Sequence, residues 1–166
     1  MSRETPVEEF VTGIDYPQPF DDYVIDLCAT ASRYVCILSP TLDHAVFDSE
    51  ELVATLSALA RATRQTQVRI LLRDKREVVS RGHKLVNLAR RLPSTVHIQR
   101  LDEHPDWNDE TIVVRDRNGV LYKPGDSDTN AFYEPDSRAS TQRHLNLFED
   151  LWRFSVKDPD LRRLDL

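Results

Sequence analysis

The segment Asp109-Glu110-Thr111-Ile112-Val113-Val114-Arg115-Asp116 brackets a short apolar run with acids and leads into Arg117-Asn118-Gly119. It reads as a buried strand that ends on a carboxylate at a turn. Other groups could also do chemistry. Asp43 and His44 follow the apolar run at 34–38 and Ser39-Pro40. In open α/β sheets ligands bind beyond the carboxyl ends of strands, so these two could serve as an acid–base pair, although an Asx-type turn with an exposed His is the plainer reading. His83 and Lys84 are adjacent, and neighbours on a helix diverge by about 100°. A solvated helix surface with Gly82 at a close packing contact is therefore expected there. Asp102, Glu103, His104, Asp106, Asp109 and Glu110 give an acidic run with one His, but without the spacing of a metal loop. It is expected to be a solvated loop, in which Trp107 either anchors the chain or exposes an apolar contact. Two basic clusters remain, one at Arg69, Arg73, Lys75 and Arg76 and one at Arg138, Arg143 and His144, with Lys123 between them in sequence. Arginines near a helix start suit a phosphate or carboxylate. Lys123, Arg138, Arg143 and His144, with Asp116, are the expected anion-binding residues.

The elements that must position these groups can be read from periodicity. Residues 1–19 carry three prolines and little pattern and read as an arm. Phe20, Tyr23, Val24, Leu27 and Cys28 recur at helical steps over 20–32. Residues 34–38 form an unbroken apolar run, as in a strand covered on both faces. Asp48 and Ser49 offer an N-cap, with Glu50 and Glu51 in the first turn of a helix running to about Thr63. A strand over 68–72, a helix over 77–92 ended by Pro93, and a strand over 96–101 follow. Residues 111–114 and 120–122 are expected to form a hairpin through Asn118-Gly119. Residues 124–137 read as a long loop, 137–154 as the last helix, and 158–166 as a frayed, charged tail. Alternating helices and short strands imply an α/β fold with a mixed, mainly parallel sheet flanked by helices. One domain over 20–155 is expected, between the arm at 1–19 and a tail at 156–166.

Composition narrows the function classes. The 166 residues are 40% hydrophobic and 30% charged, enough for a folded domain with a real core. Twenty-two basic against 28 acidic residues leave a net charge of −6, which disfavours a broad grip on nucleic acid or anionic lipid. No apolar run reaches the ~20 residues of a membrane span, and the polar, acidic start is no signal peptide. A cytoplasmic location is expected. Cys28 and Cys36 sit among apolar residues and are expected as buried, reduced thiols.

In order, residues 33–40 with their Ser-Pro exit, the helix at 47–60, the strand at 67–72, the strand at 111–116 and the helix at 146–152 resemble a phospholipase D-like half-domain. The resemblance spans about residues 20–155 and points to an uncharacterised bacterial branch of that fold, of the kind sometimes joined to acetyltransferase domains; no acetyltransferase signature is present. The family writes His-x-Lys-x(4)-Asp on the motif strand. Here Asp109 stands at the His position and Thr111 at the Lys position, and only Asp116 fits. The Gly-Ser/Thr-x-Asn stretch after the motif has no clear counterpart, Asp128-Thr129-Asn130 being a distant echo. The family's His attacks phosphorus, its Lys and Asn stabilise the phosphoryl oxygens, and two motifs complete one site. A carboxylate at position 109 would repel an anionic phosphodiester. The resemblance therefore implies a non-catalytic domain with no cofactor, a homodimer, and a small anionic or phosphate-containing ligand as partners. Two alternatives stand: a hydrolase of different mechanism using Asp43, His44, Asp116 and His144, and an interaction domain for a catalytic partner.

Overall fold

In the computed structural model, which describes residues 9–162, the first element is a strand, β1 (Val11–Ile14). Helix α1 (Phe20–Ala29) leads to β2 (Tyr34–Leu38), the short α2 (His44–Phe47) and α3 (Glu50–Ala62). Strand β3 (Gln67–Leu72), helices α4 (Arg76–Arg81) and α5 (Lys84–Arg91) and β4 (Val96–Arg100) follow. The chain closes with β5 (Thr111–Arg115), β6 (Gly119–Lys123), β7 (Ala131–Glu134), α6 (Arg138–Phe154) and α7 (Pro159–Arg162).

One seven-stranded mixed sheet runs in the order β1-β7-β6-β5-β2-β3-β4. The crossovers through α3 and through α4–α5 make β2, β3 and β4 parallel, while the other neighbours pair antiparallel. Helices cover both faces, which explains the unbroken apolar run of β2. Val35, Ile37, Val68, Ile70 and Val113 pack on one face against Val24 and Leu27 of α1, Leu56 of α3 and Leu88 of α5. Cys36, Leu38, Leu71, Val114 and Val120 pack on the other against Phe148 and Leu151 of α6.

Several elements depart from the sequence expectation. Part of the expected arm is β1, which pairs with β7 from within the expected 124–137 loop. Neither strand alternates long enough to stand out alone. Their register shifts between Val11 and Ile14, where Gly13 takes φ +66°, a conformation open to glycine. The expected 77–92 helix is two helices, broken where Gly82 takes φ +73° and His83 caps α5 by accepting from the Leu85 amide. His83 is buried rather than solvated, and a Cβ on Gly82 would meet nothing within 4 Å, so glycine here serves the positive φ rather than a close packing contact. The hairpin turns through Asp116, at φ +52°, and Gly119 belongs to β6. A Cβ on Gly119 would lie 2.7 Å from the Arg115 guanidinium, so glycine at this site makes room rather than a turn.

The expected frayed tail is anchored as far as it is described. Val156 exchanges two backbone hydrogen bonds with Arg100, and Leu161 is buried. Buried Asp158 accepts from Lys75 Nζ (2.7 Å) and Arg100 Nε (2.8 Å). Burial opposes its ionisation, but these donors outweigh it and hold the carboxyl at about 2. Residues 1–8 of the arm and 163–166 of the tail lie outside the described residues.

Candidate functional site

The parallel strands give the sheet a carboxyl edge, where the family motif would act, and an opposite amino edge. At the carboxyl edge Asp109 sits at φ +64° just before β5. Its carboxylate pairs with Arg73, which leaves β3 and lays its guanidinium 5.5 Å from the Trp107 ring. Trp107 is buried, and its indole N–H donates to the Glu110 carbonyl (3.1 Å), so it anchors this loop rather than exposing an apolar contact. A Cβ on Gly125 would fall 1.8 Å from the Asn108 carbonyl oxygen; the chain after β6 crosses the start of the motif at glycine-only range.

Thr111 is buried and lies directly opposite Lys123 in the β5–β6 register. Residues directly opposite on paired strands share a face. The positive charge missing at 111 is therefore present one strand away. Lys123 is nevertheless committed: Nζ donates to the Pro124 carbonyl (2.9 Å), lies 3.2 Å from Asp128 Oδ1 and sits 5.0 Å from the centre of the Tyr16 ring. Tyr16 in turn donates to Asp43 Oδ2 (2.9 Å). Burial and the Asp43 charge raise this phenol well above the ordinary range.

Asp43 forms the expected Asx-type turn, which caps α2, but His44 is half-buried in the first turn of that helix rather than exposed. Asp43 Oδ1 accepts from the Ala45 amide (3.0 Å), and His44 Nε2 meets the Gly82 carbonyl (2.8 Å). The His44 and His83 rings lie 4.8 Å apart. His83 accepts at Nδ1 from Leu85 and donates from Nε2 to the Leu42 carbonyl (3.0 Å), which fixes one neutral tautomer. Burial brings its pKa down to about 4.

The amino edge is built around Asp116. Its Oδ1 accepts from the Arg33 (2.8 Å) and Tyr34 (3.0 Å) amides, and its Oδ2 from the Ser32 amide (3.0 Å) and hydroxyl (3.2 Å). Asp116 thus ties the hairpin turn to the start of β2. The turn also meets α6, since the Ser137 amide donates to the Asn118 carbonyl (2.7 Å) and the Ser137 side chain caps the helix. Arg138 and Arg143 are exposed on α6. His144 donates from Nδ1 to the Ser140 carbonyl (2.8 Å) and packs on Tyr122 and Phe132; burial, helped by Arg143, lowers its pKa.

The five expected anion-binding residues therefore do not converge. Asp116 and Arg138 lie at the hairpin-turn end, Lys123 at the other end of the same hairpin, Arg143 out on α6, and His144 in an aromatic contact. The four groups of the hydrolase alternative likewise divide, Asp43 and His44 at the carboxyl edge, Asp116 at the amino edge and His144 on α6 against Tyr122. Sequence reasoning missed the cleft of about 640 Å³ at the amino edge, lined by Arg33, Tyr34, Gln67, Arg69, Arg117 and Gln142 among others. These come from four separate elements, which the Asp116 bonds, the strand pairing and the packing of α6 on the sheet bring together.

A mixed seven-stranded sheet with this order of elements, covered by helices on both faces, defines a phospholipase D-like fold. Nuc from Salmonella typhimurium, a phospholipase D family member, is similar over 93% of this chain and 100% of its own at 12% identity, with a TM-score of 0.62. NucT from Helicobacter pylori matches 90% of this chain and 100% of its own at 12% identity and a TM-score of 0.62. TrmBL2, an archaeal chromatin protein whose structure shows a novel mode of DNA binding, matches 93% of this chain at 13% identity and a TM-score of 0.66. This chain spans 56% of TrmBL2. At such identities the likeness establishes the fold alone. The chain belongs to the family described as Domain of unknown function (DUF7931), which matches residues 16–164. No curated protein matches it. Among the described residues, no helix is long and apolar enough to cross a membrane.

Proposed function

We propose that this chain is a non-catalytic phospholipase D-like domain that binds an anionic ligand. The observation that carries this reading is the Asp109–Arg73 ion pair at the motif's first position, beside the buried Thr111. A carboxylate there opposes the approach of a phosphodiester, and a threonine hydroxyl cannot neutralise phosphoryl oxygens. Lys123 restores a charge to the same row but is held by Asp128 and the Pro124 carbonyl. Anion binding then falls to exposed arginines without an ion-pair partner among the described residues, Arg138 and Arg143 of α6 among them. The test is turnover of bis(p-nitrophenyl) phosphate by the purified chain. No turnover above the solvent rate is expected; robust turnover abolished by His144→Ala or His44→Ala would overturn the reading in favour of a hydrolase of different mechanism.

A further inference from the structure

The amino-edge cleft combines cationic and neutral amide side chains. On a chain of net charge −6, three arginines line it and no carboxylate does. The neighbouring acids are already engaged: Asp116 accepts four hydrogen bonds from residues 32–34, and Glu149 pairs with Arg69. Arg69 is further held against the Phe148 and Trp152 rings. Arg33 and Arg117 remain, exposed and without an ion-pair partner among the described residues. Asp116 binds the Arg33 backbone and precedes Arg117 in sequence, so one carboxylate positions both.

Two guanidiniums with free forks match a phosphoryl group. The remaining polar lining consists of neutral amides and hydroxyls. Gln142 donates from Nε2 to Asn146 Oδ1 (2.7 Å), which leaves its Oε1 as an acceptor facing no protein donor among the described residues. Gln65 and Gln67 add further amides, while Tyr34 and Leu145 supply apolar wall. An amide can donate to and accept from hydroxyl groups, so a lining of several glutamines favours a polyhydroxylated ligand. The volume of about 640 Å³ lies in the usual range of small-molecule sites.

We infer that this cleft binds a phosphorylated sugar, its phosphate between Arg33 and Arg117 and its hydroxyls on Gln142 and neighbouring glutamines. This rests on the anion-binding reading above but names a different edge from the family motif and a ligand class. Isothermal titration of the full chain with ribose 5-phosphate, inorganic phosphate and ribose tests it. Ribose 5-phosphate should bind at least tenfold more tightly than inorganic phosphate. Arg33→Ala and Arg117→Ala should each weaken it roughly tenfold, and Gln142→Ala roughly fivefold while leaving phosphate binding unchanged. Arg33 and Arg117 are exposed, and an unchanged thermal midpoint checks that both variants fold. The inference is overturned if ribose 5-phosphate gives no binding, if phosphate binds as tightly, or if a single-stranded oligonucleotide binds more tightly through the same arginines. Phosphate binding lost only in Arg138→Ala and Arg143→Ala would end this inference and leave the broader reading standing. Phosphodiester turnover would end that reading without touching this titration.

Discussion

Asp116 acts as a tie between a hairpin turn and β2, and replacing it should cost stability first. Asp116→Ala removes four hydrogen bonds, three of them from backbone amides of residues 32–34. A hydrogen bond to a charged group contributes about 1.5–3 kcal/mol at best, and less where water can replace it. Ser32 and Arg33 are exposed and Tyr34 is half-buried, so most of the loss should come from the Tyr34 amide. The backbone adds to this, because φ +52° suits Asp or Asn better than Ala. Together these give about 2–3 kcal/mol for Asp116→Ala. Asp116→Asn keeps one accepting oxygen for Arg33 and Tyr34 but turns an amide NH2 toward the Ser32 donors, for a cost of about 1 kcal/mol. Urea denaturation read by far-UV circular dichroism gives both values. The thermal midpoint of Asp116→Ala should fall by about 5–10 °C for a domain of this size. An Asp116→Ala variant within about 0.5 kcal/mol of the parent protein would refute the structural role assigned to this carboxylate, as would an Asn variant no better than Ala.

Two titratable groups give further tests. Buried His83 has a pKa of about 4, below the 6.5 of a free imidazole, so the unfolded chain takes up its proton first as the pH falls. Its contribution should be intact above pH 6.5 and lost between about 6.5 and 4, amounting to about 3 kcal/mol; urea midpoints across that range should flatten in His83→Asn, and an equal slope in both proteins would refute the assignment. Asp158 has a folded pKa of about 2, below the ordinary 3.8, so its contribution is present above about pH 4 and lost as the pH falls through 2. Asp158→Asn should cost about 2 kcal/mol at neutral pH and speed proteolysis after Val156; unchanged cleavage would show that Lys75 and Arg100 do not hold the tail.

Much of the architecture is legible along the chain because its causes are local. The apolar run at 34–38, the Ser49 cap and the packing face of Phe148 and Leu151 each announce an element within a few residues, and each is found in the structure. The order of these elements carries the phospholipase D-like fold. Short strands that are strands only by virtue of a partner are not legible: β1 and β7 define each other across more than a hundred residues. The helix break at Gly82-His83 is equally hidden, because it depends on the Leu42 carbonyl receiving the His83 N–H.

The sequence by itself determined the layered α/β fold, since it follows from residue type and near-neighbour spacing. Only the tertiary structure decided where charge is available. It placed Lys123 opposite Thr111 and closed Asp128 onto it, placed Asp116 beneath Arg33, and left Arg33 and Arg117 together at the far edge. The reason is that strand register and sheet order set which side chains meet. An ion pair or a cleft depends on distances of a few ångströms between residues that lie tens of positions apart in the chain.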